Sequence, residues 1–285
     1  MNEAALKERL KVIALEKNVV LNKVWKQLLL ERFLARLSSS SYQDKFIFKG
    51  GLLLAQYIAI SRETIDIDFL MTKIKSEMEE IEKIITEVAA IDSVDGFSYT
   101  WFSIEELSQP HMEYSGFRVK LDVQFGKMRD KIQIDIGVGD VVKPIEATFS
   151  PFEYKGKPIF AGEISLHVYP PEAIFAEKLE TIISKGDINS RMKDYHDLLM
   201  MIHEPNFLDS GKLTDAVQAT FDRRGTQKKL LIQFDEAGTQ SFQLLWNRHL
   251  QGLGVFRERI TLPENISDVI NEINDWVSLM CRNIA

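Results

Sequence analysis

A single cysteine, Cys281, leaves the chain unable to form an internal disulfide, so a reducing cytoplasm is its expected location. One cysteine and 5 scattered histidines also argue against a structural zinc site. No apolar run approaches the ~18–20 residues needed to span a bilayer. The longest candidate, Phe46–Ile60, is interrupted by Lys49, Gly50, Gly51 and Gln56, so no membrane association is expected. The N-terminal stretch has charges spread through it and lacks the apolar core of a signal peptide. Internal repeats and low-complexity blocks are absent, and Pro170–Pro171 is the only double proline. Basic charge is in deficit: 35 Lys+Arg face 42 Asp+Glu, a net charge of −7. That argues against a dedicated nucleic-acid coat protein but leaves room for a local basic cleft. What is present is ordinary globular material, 45% hydrophobic and 27% charged. The length of 285 residues suits one large domain or two closely packed ones.

Hydrophobic periodicity organises the chain. Glu3 to Leu37 reads as helical, with Val24, Trp25, Leu28, Leu29, Phe33, Leu34 and Leu37 at steps of three and four and Asn22 as a cap. Trp25, Phe33 and Tyr57 are expected in the core. Phe46–Gly51 leads into a tight turn, and a helix follows through Leu52–Ala59. Ser61–Leu70 is predicted as a strand, because Ile65, Ile67 and Phe69 alternate with Thr64, Asp66 and Asp68. Lys75–Ala90 carries a helical apolar stripe. Phe117–Phe125 and Lys131–Val138 alternate strictly around a turn at Gly126–Asp130, and Trp101 and Phe102 fall in a further strand. Beyond Pro171 helices dominate: Glu172–Ser184, Lys193–His203, Lys212–Arg223, Gln240–Leu250 and Ile266–Arg282. The predicted division is an α/β part, residues 1–168, and a helical lobe, residues 169–285.

Asp66 and Asp68 are two apart in a predicted strand, so they share one face. Side-by-side carboxylates repel, and a cation relieves them. Mg²⁺ suits such a pair, because it binds one or two carboxylates and completes its shell with water and phosphate oxygens. The plain alternative is a solvated strand face. Asp135, on the polar face of another predicted strand, would be a third ligand. Asp122 is the weaker choice, since Arg118, Lys120 and Gln124 look like its solvent-facing neighbours. Upstream, Lys49-Gly50-Gly51 opens a helix. Paired glycines allow close backbone approach, and helix-start N–H groups hold phosphate oxygens. Gly-Gly, helix, then Asp-x-Asp places an anion cradle beside a divalent-metal site, which suits a nucleoside triphosphate (NTP).

Phe48-Lys49-Gly50-Gly51 with Arg62-Glu63-Thr64-Ile65-Asp66-Ile67-Asp68 resembles the core signature of the DNA polymerase β-like nucleotidyltransferases. Tyr169-Pro170-Pro171-Glu172, Ala176-Glu177-Lys178-Leu179-Glu180 and Asn189 to Leu198 resemble, more specifically, the AbiEii/AbiGii toxin family. Arg32 to Leu37 fits that family's leading helix. The similarity spans roughly residues 24 to 200, and the rest shows only generic helical character.

The resemblance implies an α+β fold: a mixed β-sheet core with flanking helices and a C-terminal helical lobe. It implies Mg²⁺-dependent transfer of a nucleoside monophosphate from an NTP, Mn²⁺ being the substitute ion, with pyrophosphate release. The acceptor would be tRNA or another RNA, with a protein or a small molecule as the alternatives. The biological setting would be a type IV toxin–antitoxin or abortive-infection system, with a cognate antitoxin that need not bind stably. Asp66 and Asp68 would be metal ligands, and Lys178 and Asp194 would match the family's essential lysine and aspartate. Lys49, Gly50, Gly51 and Thr64 would contact the nucleotide, although Gly51 stands where the family often has serine; Arg62 reads as a nucleotide-phosphate or carboxylate contact, or equally as a surface salt bridge.

Lys178 reads physically as a point charge for the β- and γ-phosphates, or else as a surface lysine. Asp194 could pair with it or cap its own helix. Asp197 would bind Arg191 or Lys193, and His196 is structural. Lys49, Arg62, Lys178, Lys185, Arg191 and Lys193 are expected to form a basic rim. Two competing readings are a catalytically inactive NTP- or partner-binding protein and a Mg²⁺-dependent nuclease.

Overall fold

The computed structural model describes residues 1–72, 77–107, 116–234 and 236–281. The chain divides into two compact units. The first comprises Met1–Leu53, Thr64–Gly139 and Pro144–Val168. The second comprises Leu54–Glu63, Asp140–Lys143 and the chain from Tyr169 onward.

The chain opens with α1 (Glu3–Glu16) and α2 (Leu21–Ser38). Asn2 caps α1 by accepting from the Ala5 amide at 2.9 Å. Asn22 does not cap α2, which begins one residue earlier. The apolar stripe of α2 is buried, as periodicity requires. Two of its arginines are buried as well: Arg36 makes a bidentate pair with Asp95, both contacts at 2.8 Å, and stacks over the Tyr99 ring.

Next come β1 (Phe46–Lys49), α3 (Gly50–Tyr57), β2 (Asp66–Met71) and α4 (Met78–Ala89). Then follow β3 (Phe97–Leu107), β4 (Gly116–Phe125), β5 (Met128–Val138) and β6 (Ile145–Phe149). A small ribbon of β7 (Glu153–Tyr154) and β8 (Lys157–Pro158) precedes β9 (Ile164–Val168). The sheet has seven strands in the order β3-β4-β5-β2-β1-β9-β6 and is mixed. β2 is antiparallel to β1 and parallel to β5.

The strand expected from Ser61 begins only at Asp66. Pairing with β5 starts at Asp66, and Ser61 has a left-handed φ of 48°. Ile65 is therefore exposed, while Ile67 and Phe69 are fully buried. The hairpin turn between β4 and β5 is tighter than expected, with Phe125 opposite Met128. β3 carries a bulge between Trp101 and Ser103.

The second unit holds α5 (Pro171–Lys185), α6 (Met192–His203), α7 (Ser210–Arg224), α8 (Glu236–Gly252) and α9 (Ile266–Met280). Pro171 starts α5, where its missing N–H costs nothing. Tyr195, Phe221, Phe242 and Trp246 fill the core of this unit. The expected helix ends at Lys75 and Arg282 lie outside the described residues. No described helix is long and apolar enough to cross a membrane.

Candidate active site

Two groups of expected site residues lie in different units. In the first unit, β2 buries Ile67 and Phe69 on one side and leaves Asp66 and Asp68 partly exposed on the other. The turn from β1 into α3 comes close to this pair. Gly50 sits at φ 78°, and a Cβ there would fall 2.0 Å from Asp68 Oδ2. Only glycine tolerates both the conformation and the approach. Gly51 is the second residue of α3, so the helix start and its N–H groups lie beside the Asp68 carboxylate. Thr64 lies in the coil two residues before Asp66.

Strand register extends the site sideways. Lys49 is opposite Asp68, Asp68 opposite Asp135, Asp135 opposite Arg118, and Arg118 opposite Glu105. One row across five strands thus alternates cation, two carboxylates, cation and carboxylate. Lys49 reaches past β2: its Nζ is 4.0 Å from where a Cβ on Gly137 would stand. Asp135 is indeed beside Asp68, but as a third metal ligand it is compromised. Arg118 holds it in a bidentate pair, with Nε–Oδ1 at 2.8 Å and Nη2–Oδ2 at 2.7 Å. The hydrogen bond to Asp135 raises the Arg118 pKa further and outweighs the opposing effect of burial. Asp122 lies two rows away and pairs with Lys131 at 3.2 Å.

Among the described residues, no group of three or more His, Cys, Asp or Glu side chains could hold a metal ion by itself. The pair Asp66 and Asp68 still suits Mg²⁺. Their donors are hard carboxylate oxygens, and such an ion takes its remaining ligands from water and phosphate.

In the second unit, Lys178 of α5 lies 3.0 Å from Asp194 and 2.6 Å from Asp197, both on α6. Arg62 grips Asp197 with both Nε and Nη2 at 2.6 Å. Arg191 Nε donates to Asp194 at 2.6 Å. Asp194 makes no cap hydrogen bond, because these two cations take its carboxylate. Burial would push the Asp197 carboxyl up, but Lys178 and Arg62 override it and hold it well below the usual carboxylate range. Asp194 shows the same balance, with Lys178 and Arg191 prevailing over burial. Burial likewise acts to lower the Lys178 pKa, and the charges of Asp197 and Asp194 reverse the effect, so the ammonium stays protonated.

This changes two expectations. Asp197 pairs with Arg62 and Lys178 rather than with Arg191 or Lys193. Arg62 and Lys178 are not rim residues: their side chains are 8% and 11% exposed. Of the six basic residues expected to form a rim, Lys185, Arg191 and Lys193 are exposed.

His196 is fully buried. Its Nε2–H donates to the Ile60 carbonyl at 2.7 Å, so its Nδ1 accepts from His249 Nε2–H at 2.9 Å. Burial lowers both pKa values to about 4.

Sequence reading gave Asp197 other partners and took Arg118 for a solvent-facing residue. Nothing local announces the pairing of Asp197 with Arg62, 135 positions away. Arg118 was legible in principle: a hairpin closing at Gly126–Lys127 forces Arg118 opposite Asp135.

Comparison with solved structures returns JHP933 from Helicobacter pylori, at 12% identity and a TM-score of 0.46, covering 92% of this chain and 93% of that one. It also returns an antigenic nucleotidyltransferase-like protein from Paracoccidioides brasiliensis, at 14% identity and a TM-score of 0.34, covering 70% and 88%. No curated protein matches. The profile of the nucleotidyl transferase AbiEii toxin family, type IV toxin–antitoxin system, matches residues 32–271. That span reaches well past residue 200, so α7 and α8 belong to the family pattern too. With a match over most of its length, the chain belongs to the AbiEii family of nucleotidyltransferase toxins of type IV toxin–antitoxin systems.

Proposed function

We propose that this protein transfers a nucleoside monophosphate from an NTP to an acceptor hydroxyl and releases pyrophosphate. The acceptor is tRNA or another RNA, and a cognate antitoxin opposes the activity without needing a stable complex. One observation carries the reading: the Gly50 turn holds the α3 start against the carboxylate of Asp68, which shares a strand face with Asp66.

Asp66 and Asp68 would hold the divalent cation. When bound, Mg²⁺ neutralises triphosphate charge and polarises the reacting phosphoryl group. The remaining work falls to the chain itself. The N–H groups at the start of α3 donate to phosphate oxygens. Lys49, opposite Asp68, places a positive charge on the same face. Lys178 and Asp194 match the family's essential lysine and aspartate, and within the helical unit Asp194 and Asp197 keep the Lys178 ammonium protonated and oriented.

The test is incubation with labelled NTPs, Mg²⁺ and total RNA. Label should appear on RNA ends with wild type and vanish with Asp66→Ala. No transfer by wild type, or equal transfer by both, sinks the reading. A second reading, NTP binding without turnover, is favoured by the Asp135–Arg118 pair, which withholds the third carboxylate. Calorimetry separates the two, because binding that persists without Mg²⁺ and without turnover supports the second.

A further inference from the structure

The polar face of the first unit's sheet continues beyond the carboxylates. From Asp66 one row runs through Gln133 on β5 and Lys120 on β4 to Ser103 on β3. The β3 bulge lies at the end of that row. Trp101 pairs with Leu121 and Ser103 with Lys120, so Phe102 is the extra residue of the strand. Its ring meets the Lys131 ammonium, 2.9 Å from the ring centroid. Lys131 stands on the polar face opposite Asp122, so the ring is on that face as well. Phe102 is 51% exposed, and the side chains of Lys120 and Lys131 are 36% and 48% exposed. Burial therefore does not account for a phenylalanine at this bulge, between two lysines.

We propose that Phe102 is a stacking platform for a nucleobase of a single-stranded RNA acceptor, with Lys120 and Lys131 beside it for the phosphates. Every base has a π-face, so such a platform binds without sequence preference. The phosphate contacts add position rather than selectivity. Three strand spacings of about 4.8 Å separate Asp66 from Ser103, roughly 14 Å in all. That is farther than a donor nucleotide can carry its own base if its reacting phosphate lies at the carboxylates. The platform thus fits an acceptor strand a short way in from its reacting end. This inference rests on the nucleotidyl-transfer reading for the place of reaction.

The experiment measures binding of a fluorescently labelled single-stranded RNA oligonucleotide, without Mg²⁺, in the Asp66→Ala background so that turnover plays no part. Phe102→Ala should weaken binding roughly five- to one-hundred-fold, and Phe102→Trp should retain it. Circular dichroism confirms that both variants fold. A parallel titration with ATP and Mg²⁺, with Asp66 intact, asks whether the ring serves the donor's base. The proposal is overturned if Phe102→Ala binds the oligonucleotide like its parent, if the parent does not bind RNA, or if ATP affinity falls by the same factor. RNA binding through Phe102 in a protein that transfers no nucleotide would refute the transfer reading and retain the platform. RNA transfer with Phe102→Ala binding RNA normally would do the reverse.

Discussion

Replacing Asp197 by asparagine removes one charge and changes almost no volume. The carboxylate is fully buried and receives three contacts at 2.6 Å, two from Arg62 and one from Lys178. Lys178 keeps Asp194 at 3.0 Å, but Arg62 loses its bidentate carboxylate. Breaking a buried pair by deleting one partner costs about 3–5 kcal/mol. With a urea slope of about 1–3 kcal/mol per molar, the midpoint should fall by at least ~1 M. The acid limb gives an independent check. An unfolded aspartate titrates near 3.8, and the folded carboxyl is held well below that. Its contribution is therefore complete above the unfolded pKa and is lost as pH falls through the folded one. Asp197→Asn should lower stability at pH 7 and flatten the decline below pH 4. Fluorescence-monitored urea unfolding at pH 7, 5 and 3 measures both. A loss under about 1 kcal/mol at pH 7, with an unchanged acid limb, would show that the cluster is solvated and the reasoning wrong.

Gly50→Ala should cost about 1–2 kcal/mol for the left-handed φ alone. It should also displace the Asp68 carboxylate, which a Cβ would approach to 2.0 Å, so Mg²⁺-dependent NTP binding should weaken in calorimetry. Wild-type stability with wild-type binding would refute the close approach. The two buried histidines predict a different pH response. Both fall from 6.5 to about 4 on folding, so their stabilisation is intact above pH 6.5 and is lost as pH drops toward 4. For His196 alone this is about 3 kcal/mol at ~1.4 kcal/mol per pH unit. Protonating it would also set two N–H groups against each other at the His249 contact. The urea midpoint should decline between pH 6.5 and 4.5, less steeply in His249→Gln, and a midpoint constant over that range would count against this account.

The sequence made the polar face of β2 legible because alternation with period two survives into the fold. Asp66 and Asp68 share that face, and Ile67 and Phe69 are buried behind them. Alternation alone overran the strand's start, since Ile65 has the right residue type but no place in the pairing. The Lys178 helix and the Asp194 helix were also readable, but not the ionic cluster that joins them. Charged residues on a helical pattern look like solvent-facing groups, and only packing shows that Arg32, Arg36, Asp194 and Asp197 are buried. Hairpin register, had the turn been placed at Gly126–Lys127, would have revealed the Asp135–Arg118 pair.

The helical unit is assembled from three stretches of chain, and Arg62 belongs to one of the short ones. A fragment cut before Tyr169 would contain Asp197 and Lys178 but not Arg62. Its core would keep a buried carboxylate stripped of its bidentate guanidinium, and His196 would lose the Ile60 carbonyl. Dissection at the double proline therefore yields a piece with an unbalanced interior, whatever the helices' own propensity. A circular permutant that keeps Leu54–Glu63 covalently joined to the helices is the more promising route to an isolated lobe.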